Sequence, residues 1–399
     1  MTIAIIGCGD AGLSAAFAAA KEGADVVVIS DEKDYYPRCP LPYYISGEVK
    51  KPDLVRPLED VFKGTGVKVV FDRAVKICGD VVICEKTNVR FDKAIIATGA
   101  RAKRVGGSLV LRTLADADEI KKRAKKSKPV IIGGGMLGCE LADVLGGTIV
   151  EAQERILPNF DPEFSEAVKD ELLRKKVAIK TGTTKAPESD FVISAVGVLP
   201  DNELAKNSGI RASEFGIVVN DRLETSMKGV YAAGDCIEER CFFTKRPMHS
   251  YLGPQSEREG VIAGTNAAGG DMRYGGSLNA VVARIGGHEI GTTGLCSLEA
   301  ERAGFKLVIG KIKTKTRPEY DKTAEDLAIK MMFDGDRLVG CQAIGGDVDG
   351  VINLASYAMQ HGATVDDLIN LAYCFSPPVC SAPNPIILCA ENAKRRMKR

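Results

Sequence analysis

One pattern occurs twice in this chain and constrains it more than any other feature: a short apolar strand, a loop spelled G-x-G-x-x-G, and a helix-forming run. The first copy reads TIAII (2–6), GCGDAG (7–12) and LSAAFAAAKEG (13–23), followed by the strand ADVVVIS (24–30) and Asp31. Its glycines, Gly7, Gly9 and Gly12, allow a tight turn. They also let a pyrophosphate approach the helix N-terminus, where unpaired N–H groups carry partial positive charge. Asp31, with Ser30 as the other candidate, stands where a ribose-binding acid belongs. The second copy is PVIIGGGMLGCELADVL (129–145), with Gly133, Gly135 and Gly138 in the same spacing, and its next strand, GTIVEA (147–152), reaches Glu151. A carboxylate there hydrogen-bonds a ribose 2′-OH and repels a 2′-phosphate, which favours NADH over NADPH. Two such units imply two nucleotides, one donating electrons to the other.

Composition excludes some partners. Formal net charge is +1 and charged residues make up 27% of the 399, so neither nucleic acid nor an anionic membrane is expected. No apolar run reaches membrane-spanning length, and the N-terminus lacks a basic leader, so the expected residence is cytoplasmic. Twelve cysteines without a C-x-x-C pair are then expected to be reduced, unless one works chemically.

One cysteine has an unusual setting. In YYPRCPLPYYISG (35–47), Cys39 sits among three prolines and four tyrosines. Prolines fix φ and remove donors, so this is a stiffened loop that presents a thiol. Packing residue, half-disulfide, metal ligand and nucleophile are all open on this ground alone. Arg38 beside the thiol, and Pro40-Leu-Pro as the entrance to a short helix, lead to the expectation of a lowered thiol pKa.

Two further stretches, FDKAIIATGA (91–100) and VYAAGDC (230–236), resemble the paired sequences that flank FAD in pyridine nucleotide–disulfide reductases, and FVISAVGVLPDNELAKNSGI (191–210) is similar to the strand closing that family's nicotinamide domain. The resemblance covers essentially the whole chain. It implies an α/β protein with two Rossmann-like dinucleotide-binding domains plus a C-terminal α+β dimerisation domain. The boundaries expected are 1–103 with 229–272 for FAD, 104–228 for a compact NAD domain and 273–399 for the dimer interface. It also implies that Thr98, Gly99, Gly234 and Asp235 hold FAD, with Asp235 at its ribityl or pyrophosphate region.

Glutathione-reductase-like members carry two cysteines spaced C-x-x-x-x-C, which this chain lacks. The segment around Cys39 instead resembles the single-cysteine branch: coenzyme A disulfide reductases, NADH oxidases and peroxidases, and sulfur or polysulfide reductases. Peroxidases and oxidases of that branch have a histidine in the first glycine loop. Here the position is Asp10, and the three histidines (His249, His288, His361) lie elsewhere, so peroxide reduction lacks its acid–base partner. A disulfide-type substrate and a homodimer follow from the resemblance. So do two tyrosines lent across the dimer to the partner's cysteine. Tyr320 fits one of them; for the other, YCFSPPV (373–379) places Phe375 at the family position and Tyr373 two residues away.

The chain departs from the family in its NAD domain. About nine residues separate Gly138 from the next strand, and the expected β-hairpin is reduced to TTKAPESD (183–190). Alternatives therefore stand beside NADH-driven disulfide reduction. One is an NADH oxidase reducing oxygen. The other is a ferredoxin-dependent disulfide reductase with a degenerate NAD domain, in which Cys374, Cys380 and Cys389 are candidates for an iron–sulfur cluster, although their spacing matches no standard run.

Overall fold

A computed structural model describes residues 1–398, and in it each glycine-loop unit sits at the centre of its own parallel sheet. The first sheet runs, edge to edge, Val230–Ala232, Lys93–Ile96, Thr2–Ile6, Asp25–Ser30 and Lys68–Phe71. The chain leaves the central strand in one direction and returns on its other side, so the first glycine loop lies at the topological switch point where ligands bind. The second sheet repeats the plan with Leu109–Val110, Val192–Ser194, Val130–Ile132, Thr148–Val150 and Ala178–Lys180. No strand forms between residues 181 and 191, so the truncated hairpin is absent, as expected.

Five helices matter for the site: α1 (Asp10–Lys21), α2 (Leu41–Ser46), α3 (Met136–Leu145), α4 (Gly253–Ala267) and α5 (Pro385–Met397). Helix α1 buries Ala11, Ala15, Ala16 and Ala19 and crosses α4 closely. Gly260 and Gly264 of α4 permit that crossing: a Cβ at either would run into the carbonyl of Ala11 or Ala15. Small residues on both faces thus pin the start of α4 beside the first glycine loop.

The third sheet is antiparallel, in the order Val281–Ile285, His288–Gly294, Arg337–Gly345, Asp326–Asp334, Leu307–Lys315, with α5 and Val348–Gln360 packed on it. A buried polar knot ties it to the second unit. Lys330 and Asp161, 4% and 2% exposed, form an ion pair. Lys330 also lies 3.2 Å from Glu163, and Asp161 accepts the Ser297 hydroxyl at 2.7 Å. Charges so deeply buried persist only when paired and hydrogen-bonded.

Candidate active site

Cys39 precedes Pro40, the N-cap of α2, so the proline-rich loop does enter a short helix. Its thiol is exposed into a cleft of about 900 Å³ whose walls include the first glycine loop, Thr98, Gly99 and Asp235. Arg38 does not serve the thiol. Its guanidinium grips the Glu32 carboxylate at 3.1 and 3.2 Å and the Arg112 carbonyl at 2.9 Å, bracing the loop instead.

The expected lowering of the Cys39 pKa is corrected accordingly. Burial pushes the thiol up, and Asp10, Glu140 and Asp235 add to it, while one hydrogen bond from the Gly253 amide at the start of α4 opposes them. Partial burial and the neighbouring carboxyl groups outweigh a single amide, so the resting group is a thiol. Cys8, in the glycine loop itself, also lines the cleft but is buried and pushed up to about 12, chiefly by burial. Of the two, Cys39 is the accessible thiol.

Both loops have the shape of a phosphate cradle. A Cβ at Gly12 would meet the Gly7 carbonyl, and one at Gly138 the Gly133 carbonyl, so these glycines serve the protein's own turn. The middle glycines differ: a Cβ on Gly9 or Gly135 would meet nothing within 4 Å. That open space, at the uncapped N-termini of α1 and α3, is what a dinucleotide pyrophosphate needs. Asp31 and Ser30 both line the first cleft, and they continue into an adjoining space of about 850 Å³. Thr98 donates to the Asp201 carbonyl at 2.6 Å, and Asp235 pairs with Arg112 at 2.7 Å. Glu151 is buried beneath the second loop, where its carboxylate accepts the Gly134 amide at 2.6 Å and the Gln153 amide at 2.7 Å.

A family model described as pyridine nucleotide-disulphide oxidoreductase matches residues 1–256, and the dimerisation domain of the same family matches residues 285–384. The chain belongs to this family. Its members are NAD(P)H-dependent disulfide oxidoreductases, and the family implies FAD with a pyridine nucleotide. An NADH oxidase of Methanocaldococcus jannaschii is 32% identical, with 100% of this chain and 99% of that protein covered. An NAD(P)H coenzyme A polysulfide/persulfide reductase of Pyrococcus horikoshii is 30% identical over 98% of each. Among solved structures, an NAD-dependent persulfide reductase from A. fulgidus superposes with a TM-score of 0.90 at 26% identity, covering all of this chain and 84% of that one.

Within one subunit of this oxidoreductase the two expected tyrosines stay away from Cys39. Tyr320 is 76% exposed on the turn before Asp326–Asp334, and Tyr373 and Phe375 are exposed on the segment preceding α5. Neither tyrosine lines the Cys39 cleft of its own subunit.

The cysteine cluster is not assembled. Cys389 is buried on α5 with its sulfur 3.8 Å from the Ile329 carbonyl, whereas Cys374 is exposed and Cys380 lies against the Cys374 carbonyl at 3.5 Å. Cys389 faces the sheet while the other two lie on the segment before α5, so the three sulfurs do not converge within one subunit. No group of three or more metal-ligating side chains occurs among the described residues.

Sequence reading passed over Glu140. It lies on α3 two residues beyond Gly138, projects toward α2, and accepts from the Tyr43 hydroxyl at 3.5 Å. Burial pushes its pKa up to about 7. Its place in the first turns after the phosphate loop was a usable sign. Its proximity to Cys39 was not readable, because α2 and α3 are about a hundred residues apart in the chain.

Among the described residues no helix is long and apolar enough to cross a membrane.

Proposed function

We propose that this chain is a homodimeric, FAD-dependent reductase of low-molecular-weight disulfides, with coenzyme A disulfide or polysulfide as substrate class, NADH as donor and Cys39 as the redox-active centre. The observation that carries this is a lone accessible thiol in the glycine-loop cleft, at the N-terminus of α4.

FAD fits the first unit through Gly7, Gly9, Gly12, Asp31, Thr98, Gly99, Gly234 and Asp235. The pyridine nucleotide fits the second through Gly133, Gly135, Gly138 and Glu151. When bound, FAD supplies two-electron transfer from nicotinamide to the sulfur centre.

The chain's own groups do the rest. The Cys39 sulfur attacks one sulfur of the substrate, a mixed disulfide forms, and the other sulfur leaves as a thiolate that takes a proton. Two electrons then reopen the mixed disulfide. In balance, one disulfide, one NADH and one proton give two thiols and NAD+. The Gly253 amide stabilises the thiolate as it develops, and the α2 prolines hold its direction. Tyr320 and Tyr373 of the partner subunit's copy of this chain are proposed to approach the substrate, with the phenols as proton donors. Asp10, a carboxylate where peroxide chemistry would want an imidazole, favours sulfur over peroxide.

The test is Cys39→Ser. It should retain FAD and lose NADH-driven thiol release from coenzyme A disulfide and polysulfide by about 10³-fold or more. Undiminished turnover in that variant overturns the proposal. The likeness to an NADH oxidase supports a second reading, oxygen reduction, and NADH-dependent oxygen uptake outpacing disulfide turnover would establish it.

A further inference from the structure

Behind the loop Ala233–Gly234–Asp235 lie two carboxyl groups that the chemistry at Cys39 does not use. Glu239 and Glu259 are 3% and 2% exposed. Glu259, on α4, accepts the Gly234 amide through Oε2 at 2.8 Å and Gln255 Nε2 through Oε1 at 2.8 Å. Glu239 accepts the Arg240 amide through Oε1 at 2.6 Å, and the Tyr274 hydroxyl at 2.6 Å and Gln255 Nε2 at 2.8 Å through Oε2. Gln255 Nε2 thus stands 2.8 Å from an oxygen of each carboxyl group, which makes the two close neighbours.

Among the described residues no lysine or arginine pairs with either carboxyl group. Helix α1, which packs along α4, presents Ala11, Ser14, Ala15 and Ala18 to it, and its Asp10 lies at the far end, against Gly253. From α4 itself the facing group is Gln255, and from the segment after α4 it is the Tyr274 phenol. The loop contributes Asp235, which is engaged by Arg112. Arg240 and Lys245 line an outer recess with Asp221, Glu238 and Tyr274, and neither is among the groups acting on Glu259. Two buried anions side by side without a counter-ion are strongly unfavourable, and one shared proton turns their repulsion into a bond.

The loop they hold is tightly wedged. Gly234 has φ +81°, and a Cβ there would stand 2.7 Å from the Ala11 methyl. Ser256, one turn before Glu259 on α4, donates to Asp235 at 3.4 Å. Helix α4 therefore grips the loop at two successive residues, and the grip at Gly234 is the Glu259 carboxyl.

We propose that Glu239 and Glu259 share one proton and act together as a positioning pair for the flavin: with the proton in place they fix Gly234 and so Asp235, and losing it loosens the loop and releases FAD. This rests on the assignment of FAD to the first unit. Burial first, and Glu239 second, hold the Glu259 proton well above the usual carboxylate range. The sign follows. The folded, FAD-loaded state binds a proton that the unfolded carboxyl gives up at ordinary carboxylate pH, so flavin retention weakens as pH rises through the pair's titration.

The experiment measures the FAD dissociation constant of wild type, Glu259→Gln and Glu239→Gln from about pH 6 to about pH 10, by fluorescence of released flavin. Thermal denaturation of the FAD-free proteins is followed in parallel. The wild-type constant should rise by up to about tenfold per pH unit above the titration, as one linked proton requires. Each amide variant should stay flat, because its N–H replaces the shared proton and Gln255 can turn its amide to suit. If one variant fails to fold, the other reads the same pair. A wild-type constant independent of pH, or equal slopes in wild type and variants, overturns the proposal. No FAD binding at any pH overturns the cofactor assignment and the pair's task with it, while the melting curves still show whether the proton is there.

Discussion

The Asp10 carboxylate and the Cys39 thiol meet at one backbone position. A Cβ built on Gly253 would lie 3.3 Å from Asp10 Oδ2 and 3.7 Å from Cys39 Sγ, so carboxylate and thiol share the N-terminus of α4. The Tyr35 hydroxyl fixes Asp10 in this place by donating to Oδ1 at 2.9 Å. Asp10 is a leading contributor, after burial, to the raised pKa of Cys39.

Removing that charge should free the thiolate. Asp10→Asn is expected to move the pH profile of Cys39 alkylation by iodoacetamide to lower pH, with faster modification below the wild-type midpoint. An unchanged midpoint would mean that burial alone sets the thiol's acidity.

Glu140 should make stability depend on pH in a defined window. Its folded pKa of about 7 lies above the unfolded value near 4.3, so the fold favours its neutral form and loses stability as pH rises between the two. Glu140→Gln is expected to match wild type near pH 4 and to exceed it by up to about 3–4 kcal/mol at pH 8 in urea denaturation. Equal pH dependence in both proteins would contradict this.

The two kinds of glycine should separate binding from folding. Gly9→Val fills the open cradle and is expected to lower FAD content at least about tenfold, with little change in the melting temperature of the FAD-free protein. Gly12→Ala drives a methyl into the Gly7 carbonyl and should destabilise the fold by about 1–3 kcal/mol. Flavin content and thermal melts read both.

Lys330→Ala leaves Asp161 buried without its partner. The expected loss is about 3–5 kcal/mol in denaturant unfolding, far above that of a surface pair such as Arg90 with Asp80. A loss below about 1 kcal/mol would show that water reaches Asp161.

What the sequence by itself determined is local. Strand, glycine loop, helix and acid must follow one another at fixed spacing because a tight turn and a close approach to backbone leave no room for a Cβ, as Gly7, Gly12, Gly133 and Gly138 show. The proline-fixed Cys39 loop was legible for the same reason, since φ restriction acts within a few residues.

Only the tertiary structure decided which distant groups became neighbours. Gly253 and Asp10 reach Cys39 because α1 and α4 pack through small residues more than two hundred positions apart. Burial, with Asp10, Glu140 and Asp235 gathered from separate elements, turned an expected lowering of the thiol pKa into a raising, and Glu32 and the Arg112 carbonyl made the adjacent arginine a brace. Glu259 and Glu239 look like ordinary surface acids in the sequence and are buried together behind the flavin loop. Cys374, Cys380 and Cys389 look like a group, yet Cys389 is buried on a sheet-facing helix while the other two lie on the segment before it. Backbone geometry is written in short spacings, whereas electrostatic neighbourhood is set by how whole elements pack.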